Sequence, residues 1–424
     1  MSKSAVAAVA APGAVSDGPR PISLVCRLCG KPAEPQPVAT CEHCLGPLEP
    51  AYDPARRLPS RAEIEQRPRS IWRYAEWLPI LGAPVVSLDT GFTPLFEAPA
   101  LARALGVRKA WVKNDAVSHP TLSFKDRVVA VALNAAKAFG LETVGCASTG
   151  NLANSVAAHA ARAGLASWIF IPHDLEVGKV VGTAVYGPHL VRVQGTYDDV
   201  NRLCAQVADR FGWGIVNVNL RSYYGEGSKT VAYEIAEQLG WRTPDAVIAP
   251  MAGGSLVTKI DKGFRDFEKA GLVDGAHPRI YGAQATGCSP IVSLVQRGGE
   301  KIEPVIPNTI ARSIAIGNPA DGRFAAKAIT ASGGAAAAVT DEELVAGIRL
   351  LAETTGVFTE TAGGVTVAAA RRLALEGKLK PSDELVLCIT GNGLKTIEAV
   401  QPALSLAPVI PPKLGAVAAL VDAR

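Results

Sequence analysis

The sequence predicts an α/β fold with parallel open sheets, preceded by a small metal ribbon. Two observations carry this reading. From Gly91 onward, short branched-apolar runs alternate with amphipathic helical patterns, and strand, helix, strand in series calls for a parallel sheet with helices on both faces. Ahead of that alternation, Cys26, Cys29, Cys41 and Cys44 form two C-x2-C knuckles separated by eleven residues.

In chain order, residues 1–21 are mostly Ala, Ser, Gly and Pro with few large side chains, so a disordered leader is expected there. Lys3 and the Ala–Val run behind it are too short and too weakly apolar for an export signal. In the ribbon, Gly30 and Gly46 supply a tight turn for each knuckle, and four thiolates in this spacing suit a closed tetrahedral Zn²⁺ site. Two disulfides would be the alternative. The scattered Cys146, Cys204, Cys288 and Cys388 speak instead for a reducing cytoplasm. His43 lies inside the second knuckle and reads as a bystander.

Strands are expected at residues 143–148, 167–171, 190–194, 215–219, 246–249, 280–284 and 384–390, with helices at 127–139, 152–162, 197–211, 229–239 and 255–268. In the last helix Leu256, Ile260, Phe264 and Phe267 follow helical spacing while Lys259, Lys262 and Arg265 fall off that stripe. Residues 402–412 form a proline-punctuated tail without a periodic core signal.

At 424 residues the chain is long enough for two or three domains. A 48% hydrophobic and 19% charged composition is that of an ordinary enzyme. Lys plus Arg exceed Asp plus Glu by only 43 to 39, which gives no footprint for nucleic acid, and no apolar run approaches a membrane span. Neither a G-x-G-x-x-G fingerprint nor a P-loop occurs, which removes the main support for hydride transfer and nucleotide hydrolysis.

In such folds the ligand sits beyond the carboxyl ends of the strands. Three loops stand there. Ser148, Thr149, Gly150 and Asn151 follow a strand and open a helix, offering backbone amides and hydroxyls as a carboxylate cradle. Residues 250–255, with Gly253 and Gly254, let the backbone approach an oxyanion closely and form a phosphate-site candidate. Thr390 ends the last strand with a hydroxyl. A fourth segment, Ser123-Phe124-Lys125-Asp126-Arg127, precedes a long helical run. With Ser123 as N-cap, Lys125 falls in the first turn, where the dipole and unpaired N–H groups work against a positive charge and toward a nucleophilic amine.

A reactive lysine, a phosphate cup and a polar group for a ring nitrogen are the parts needed to hold pyridoxal phosphate. The SFKDR lysine segment, the ASTGN loop at 147–151, the TIARSIAIGNP run at 309–319, the DTGFTPL segment at 89–95 and the closing ITGNGLK at 389–395 together resemble threonine synthases. The resemblance runs from about Cys26 to about Thr396. It implies a two-domain fold type II pyridoxal-phosphate enzyme with an N-terminal zinc ribbon. The expected bounds are 22–50 for the ribbon, 51–123 with 223–410 for a large domain, 124–222 for a small domain and 411–424 for a tail.

By match, Lys125 is the Schiff-base lysine, Asn151 contacts the phenolic oxygen of the ring, and Thr390 faces the pyridine nitrogen. Ala252, Gly253, Gly254, Ser255 and Leu256 form the phosphate cup, and Ser148 with Thr149 takes the substrate carboxylate. The cup departs from the family pattern in reading A-G-G-S-L. In the segment RSYYGEGSKT, Tyr224 stands where the family usually has an arginine. Arg221, Lys229 and Ser123 are then the expected holders of the substrate phosphate. The implied reaction takes O-phospho-L-homoserine and water to threonine and phosphate, in a cytoplasmic homodimer. The departing phosphate would act as the base for water, since no carboxylate or histidine stands out at the loops: His119 precedes the lysine and His159 lies mid-helix. Cysteate synthase and threonine dehydratase are the alternatives within the fold. A zinc-ribbon binding protein whose α/β part has lost catalysis is the alternative outside enzymes.

Overall fold

A computed structural model describes residues 22–80, 84–148, 150–173, 175, 177–195, 197–404 and 407–422. The expected leader at 1–21 and the site candidate Thr149 lie outside these residues. Among the described residues, three sheets organise the chain. The first is the ribbon, in which β1 (Ile22–Cys26) pairs antiparallel with β2 (Pro32–Ala33) and β3 (Leu48–Tyr52).

The largest sheet has six strands. They are β4 (Leu95–Glu97), β5 (Lys109–Asn114), β10 (Ala246–Pro250), β11 (Arg279–Ala285), β12 (Ala336–Val339) and β13 (Glu384–Ile389), in the spatial order β12-β11-β10-β13-β5-β4. All pairings are parallel except that of the edge strand β4. The four-stranded sheet has the order β8-β7-β6-β9, built from β6 (Thr143–Ala147), β7 (Ala166–Pro172), β8 (His189–Val193) and β9 (Gly214–Ile215), all parallel. The central strands β10 and β13 are buried at every residue, as expected of a parallel strand covered by helices on both faces.

The chain leaves β10 toward β11 and β12, then returns on the other side of β10 as β13. That reversal opens a crevice at the carboxyl ends of these two strands, where α/β sheets bind their ligands. The loops after β10 and β13 are therefore neighbours by topology.

Most expected strands and helices form within a residue or two of their bounds. One does not: only Gly214–Ile215 of the run at 215–219 pairs as a strand. The Asn219 side chain accepts the Ile215 N–H at 2.7 Å and the Asn217 side chain accepts the Ala147 N–H at 3.1 Å, so these asparagines substitute side-chain for ladder bonds and end the strand. Beyond the proline-punctuated segment, Leu414–Asp422 is helical, with Leu414, Val417, Leu420 and Val421 exposed.

Candidate active site

Lys125 is the first residue of the helix Lys125–Ala138. The N-cap is Phe124, in helical geometry and without a side-chain cap bond, so Ser123 does not cap this helix as expected. The reason lies one strand away. Phe124 donates its N–H to the Thr390 carbonyl at 2.9 Å, Asn392 donates to the Leu122 carbonyl at 3.1 Å, and Ser123 bridges to Gly391. The lysine loop is thus laid along the segment leaving β13, and this pairing fixes the entry of the helix. Ser123 is fully buried, its hydroxyl has no hydrogen-bond partner among the described residues, and it does not line the cleft.

The two residues after Lys125 anchor it. Asp126 accepts the Thr121 N–H at 2.9 Å and its hydroxyl at 2.6 Å. Arg127, fully buried, donates to Asp115, Glu234, Thr93 and Thr230. Asp115 follows β5, and Thr93 belongs to the segment at 89–95. Glu234 also takes the Lys113 amine at 2.6 Å. Burial alone would raise the Glu234 carboxyl, but Arg127 and Lys113 outweigh it and hold it at about 2. The buried charges are balanced, which is the condition for such a network to hold a fold together rather than disrupt it.

Lys125 itself turns to a cleft of about 200 Å³. Its Nζ donates to the Tyr224 hydroxyl at 2.9 Å. The cleft is lined also by Ser148, Asn151, Arg221, Glu360, Thr390, residues 252–256 and, from the segment at 309–319, Ser313, Ile314, Ile316 and Asn318. Of the expected site residues it therefore gathers Lys125, Asn151, Ala252, Gly253, Gly254, Ser255, Leu256, Thr390, Ser148 and Arg221.

Lys229 is not among them. Its amine is fully buried between Glu226 at 2.8 Å and Asp266 at 3.0 Å, because the helix Lys229–Gln238 turns this residue toward the helix Ser255–Lys269 rather than the cleft. Ser148 lines the cleft and accepts N–H groups from Gly150 at 3.0 Å and Ala153 at 2.9 Å, the second a first-turn donor of the helix Asn151–Ala163. Asn151 donates its amide to both Glu360 oxygens at 2.8 Å and accepts from Lys395 at 3.0 Å.

Four contributors escaped the sequence reading. Tyr224 stands out in the sequence only as a departure from the family pattern. Asp198, Asp321 and Glu360 line the cleft, against the expectation that no carboxylate stands there. Asp321 and Glu360 are occupied, the first by Arg27 and Arg221, the second by Asn151. Burial and the neighbouring Asp199 push the exposed Asp198 carboxyl upward. Glu360 had one available signal, its place immediately before the small-residue helix Thr361–Leu375.

The cup fits a phosphate group. Gly254, at φ +92°, starts the helix Ser255–Lys269, whose first-turn N–H groups point out of the helix and have no acceptor among the described residues, as an anion site requires. A Cβ on Gly254 would come within 2.9 Å of the Asp321 carbonyl, so the close backbone approach requires glycine. With a lysine amine, a glycine cup and Thr390 lining one cleft, the donor set suits pyridoxal phosphate.

In the ribbon the four cysteine Sγ atoms lie within 4.8 Å of one another, with Cys26–Cys44 at 3.5 Å and Cys29–Cys41 at 3.8 Å. A tetrahedron with Zn–S bonds of about 2.3 Å has edges of about 3.8 Å. Among the described residues this cysteine cluster, without His43, has the geometry for a metal ion.

Residues 86–391 match the model of the pyridoxal-phosphate dependent enzyme family. The chain is 38% identical to a threonine synthase of Methanocaldococcus jannaschii, covering 88% of this chain and 93% of that protein. It is 35% identical to one of Methanosarcina acetivorans, covering 89% and 93%. The structure of maize serine racemase superposes with a TM-score of 0.61 at 21% identity, over 72% of this chain and 91% of that one, a likeness of fold alone. The chain belongs to the pyridoxal-phosphate-dependent enzymes, and within them to the threonine synthase family.

Proposed function

We propose that this enzyme uses pyridoxal phosphate to convert O-phospho-L-homoserine and water to L-threonine and phosphate. The observation that carries the reading is one cleft lined by Lys125, the glycine cup at residues 252–256 and the cation Arg221, which pairs with Asp321 next to that cup. One phosphate site serves the cofactor and a separate cation serves a phosphorylated substrate.

When bound, the cofactor supplies an electron sink for carbanions at the substrate's α and β carbons. Lys125 would hold its aldehyde carbon and move the proton at the α carbon. The Tyr224 hydroxyl orients the Lys125 amine. Residues 252–256 would hold the cofactor phosphate, and Thr390, a hydroxyl rather than a carboxylate, would leave the ring nitrogen largely unprotonated. Asn151, held by Glu360 and Lys395, would contact the ring's phenolic oxygen. Ser148 takes the substrate carboxylate, with Thr149 carried as a further candidate. Arg221 keeps the departing phosphate in place as the base for water.

We further assign one structural Zn²⁺ to Cys26, Cys29, Cys41 and Cys44. A homodimer in the cytoplasm completes the reading. The exposed apolar helix Leu414–Asp422 supports association, and no helix among the described residues is long and apolar enough to cross a membrane.

Incubating pure, cofactor-loaded protein with O-phospho-L-homoserine should release phosphate and threonine in equal amounts. Release of phosphate with 2-oxobutyrate alone would point to a lyase without the water step.

A further inference from the structure

The ribbon is tied to the cleft through one carboxylate that lines it, Asp321. Asp321, whose side chain is 8% exposed, accepts Arg27 Nη1 on one oxygen at 3.0 Å and Arg221 on the other. Arg27 sits in the first knuckle, between Cys26 and Cys29, with its guanidinium 3.7 Å above the Phe324 ring. Asp321 is also tied to the cofactor cup, donating its N–H to the Gly253 carbonyl at 2.9 Å.

The helix Arg221–Glu226, which presents Arg221 and Tyr224 to the cleft, is held from behind by the same ribbon. Ser222 donates to the Leu48 carbonyl at 2.8 Å, Tyr223 to the Gln36 carbonyl at 3.1 Å, and Tyr52 to Glu226 at 2.9 Å. On its inner side Gly227 meets the helix Lys125–Ala138 so closely that a Cβ would lie 2.6 Å from the Arg127 carbonyl.

Charge counting gives this arrangement a purpose. An isolated Arg221–Asp321 pair is neutral and offers an incoming phosphate little attraction, because Asp321 both satisfies and cancels the arginine. With Arg27 added the triad carries a net positive charge, and Asp321 stays paired when Arg221 turns to an anion. Glu49 does not undo this: it lies 3.9 Å from Arg27 Nε and is itself taken by Lys259 at 2.9 Å and Lys262 at 3.1 Å.

We propose that Arg27 of the ribbon is a positioning residue that neutralises Asp321, and thereby frees Arg221 to bind the phosphate of the substrate. This rests on the proposed reaction only in identifying that anion as the substrate's.

The test uses the cofactor-loaded full chain and two readouts: calorimetric affinity for inorganic phosphate, and KM and kcat with O-phospho-L-homoserine. Arg27→Ala should keep its cofactor absorbance, bind phosphate about tenfold more weakly and raise KM by a similar factor, the size of one charge-assisted hydrogen bond, with kcat changed much less. Arg27→Lys should recover part of the loss. Removing the carboxylate charge as well, in Arg27→Ala/Asp321→Asn, should restore phosphate affinity toward that of the parent, which a merely structural role of Arg27 would not do. Unchanged phosphate affinity in Arg27→Ala overturns the proposal. So does a loss that neither Arg27→Lys nor the double variant recovers, since the ribbon would then be a scaffold only. If the parent protein binds phosphate but makes no threonine, the proposed reaction fails, while the behaviour of these variants toward phosphate still decides the role of Arg27.

Discussion

The Lys125 amine donates to the Tyr224 hydroxyl at 2.9 Å, across the seam between the helices Lys125–Ala138 and Arg221–Glu226. A tyrosine thus stands beside the lysine at a position where the family pattern carries an arginine. The hydroxyl can orient the amine, but it cannot hold a phosphate as a guanidinium would, and in the proposed reaction that task passes to Arg221. Tyr224→Phe should keep the cofactor and lower kcat about tenfold, the worth of one hydrogen bond. Lys125→Ala should abolish turnover, and borohydride should fix the cofactor to the parent protein but not to this variant. A parent protein that stays colourless and inactive with added pyridoxal phosphate would remove the basis for both expectations.

Gly254→Ala tests the cup. The positive φ costs an L-residue about 1–2 kcal/mol, and the added Cβ also meets the Asp321 carbonyl at 2.9 Å and the Ala325 side chain at 3.1 Å. Cofactor affinity should fall by at least about tenfold, measured by fluorescence titration of the cofactor-free protein. An unchanged affinity would place the cofactor phosphate elsewhere.

The ribbon should depend on its metal. Three short strands bury little apolar surface, so metal binding would supply much of the folding free energy of this part. Elemental analysis should find one zinc per chain, and a chelator should expose four alkylatable thiols and lower the melting temperature. Native protein without zinc, with all four cysteines readily alkylated, would contradict the assignment.

His277 sets a pH dependence of stability away from the site. Burial alone would lower its imidazole, but hydrogen bonds to Asp261 at 2.9 Å and Glu268 at 2.6 Å outweigh this, and the net shift is upward. A raised folded value means that the ion pairs stabilise fully below the unfolded value of about 6.5 and lose their contribution as pH rises through the folded value. His277→Asn should therefore lower the melting temperature more at pH 6 than at pH 9. An equal deficit at both values would show that only packing was lost.

The sequence by itself determined the chemistry-bearing parts. Strand-to-helix loops with small residues, two cysteine knuckles and the lysine segment are local patterns, since a glycine at a positive φ or a C-x2-C turn is specified within a few residues. The alternation of strands and helices also determined the parallel sheets, because chain crossing leaves few other ways to bury them. Tertiary structure decided the rest. β12 reads Ala-Ala-Ala-Val, a helix-favouring composition that becomes a strand only through its ladder with β11. β5 carries Lys113 in its interior, tolerated because Glu234, distant in sequence, neutralises it. The same long-range pairing separates Lys229 from Arg221: both are cations near the same helix in sequence, but Glu226 and Asp266 bury the first while Asp321 holds the second at the cleft. Which charge faces the substrate depends on which carboxylates fold against it, and those come from elements far apart in the chain.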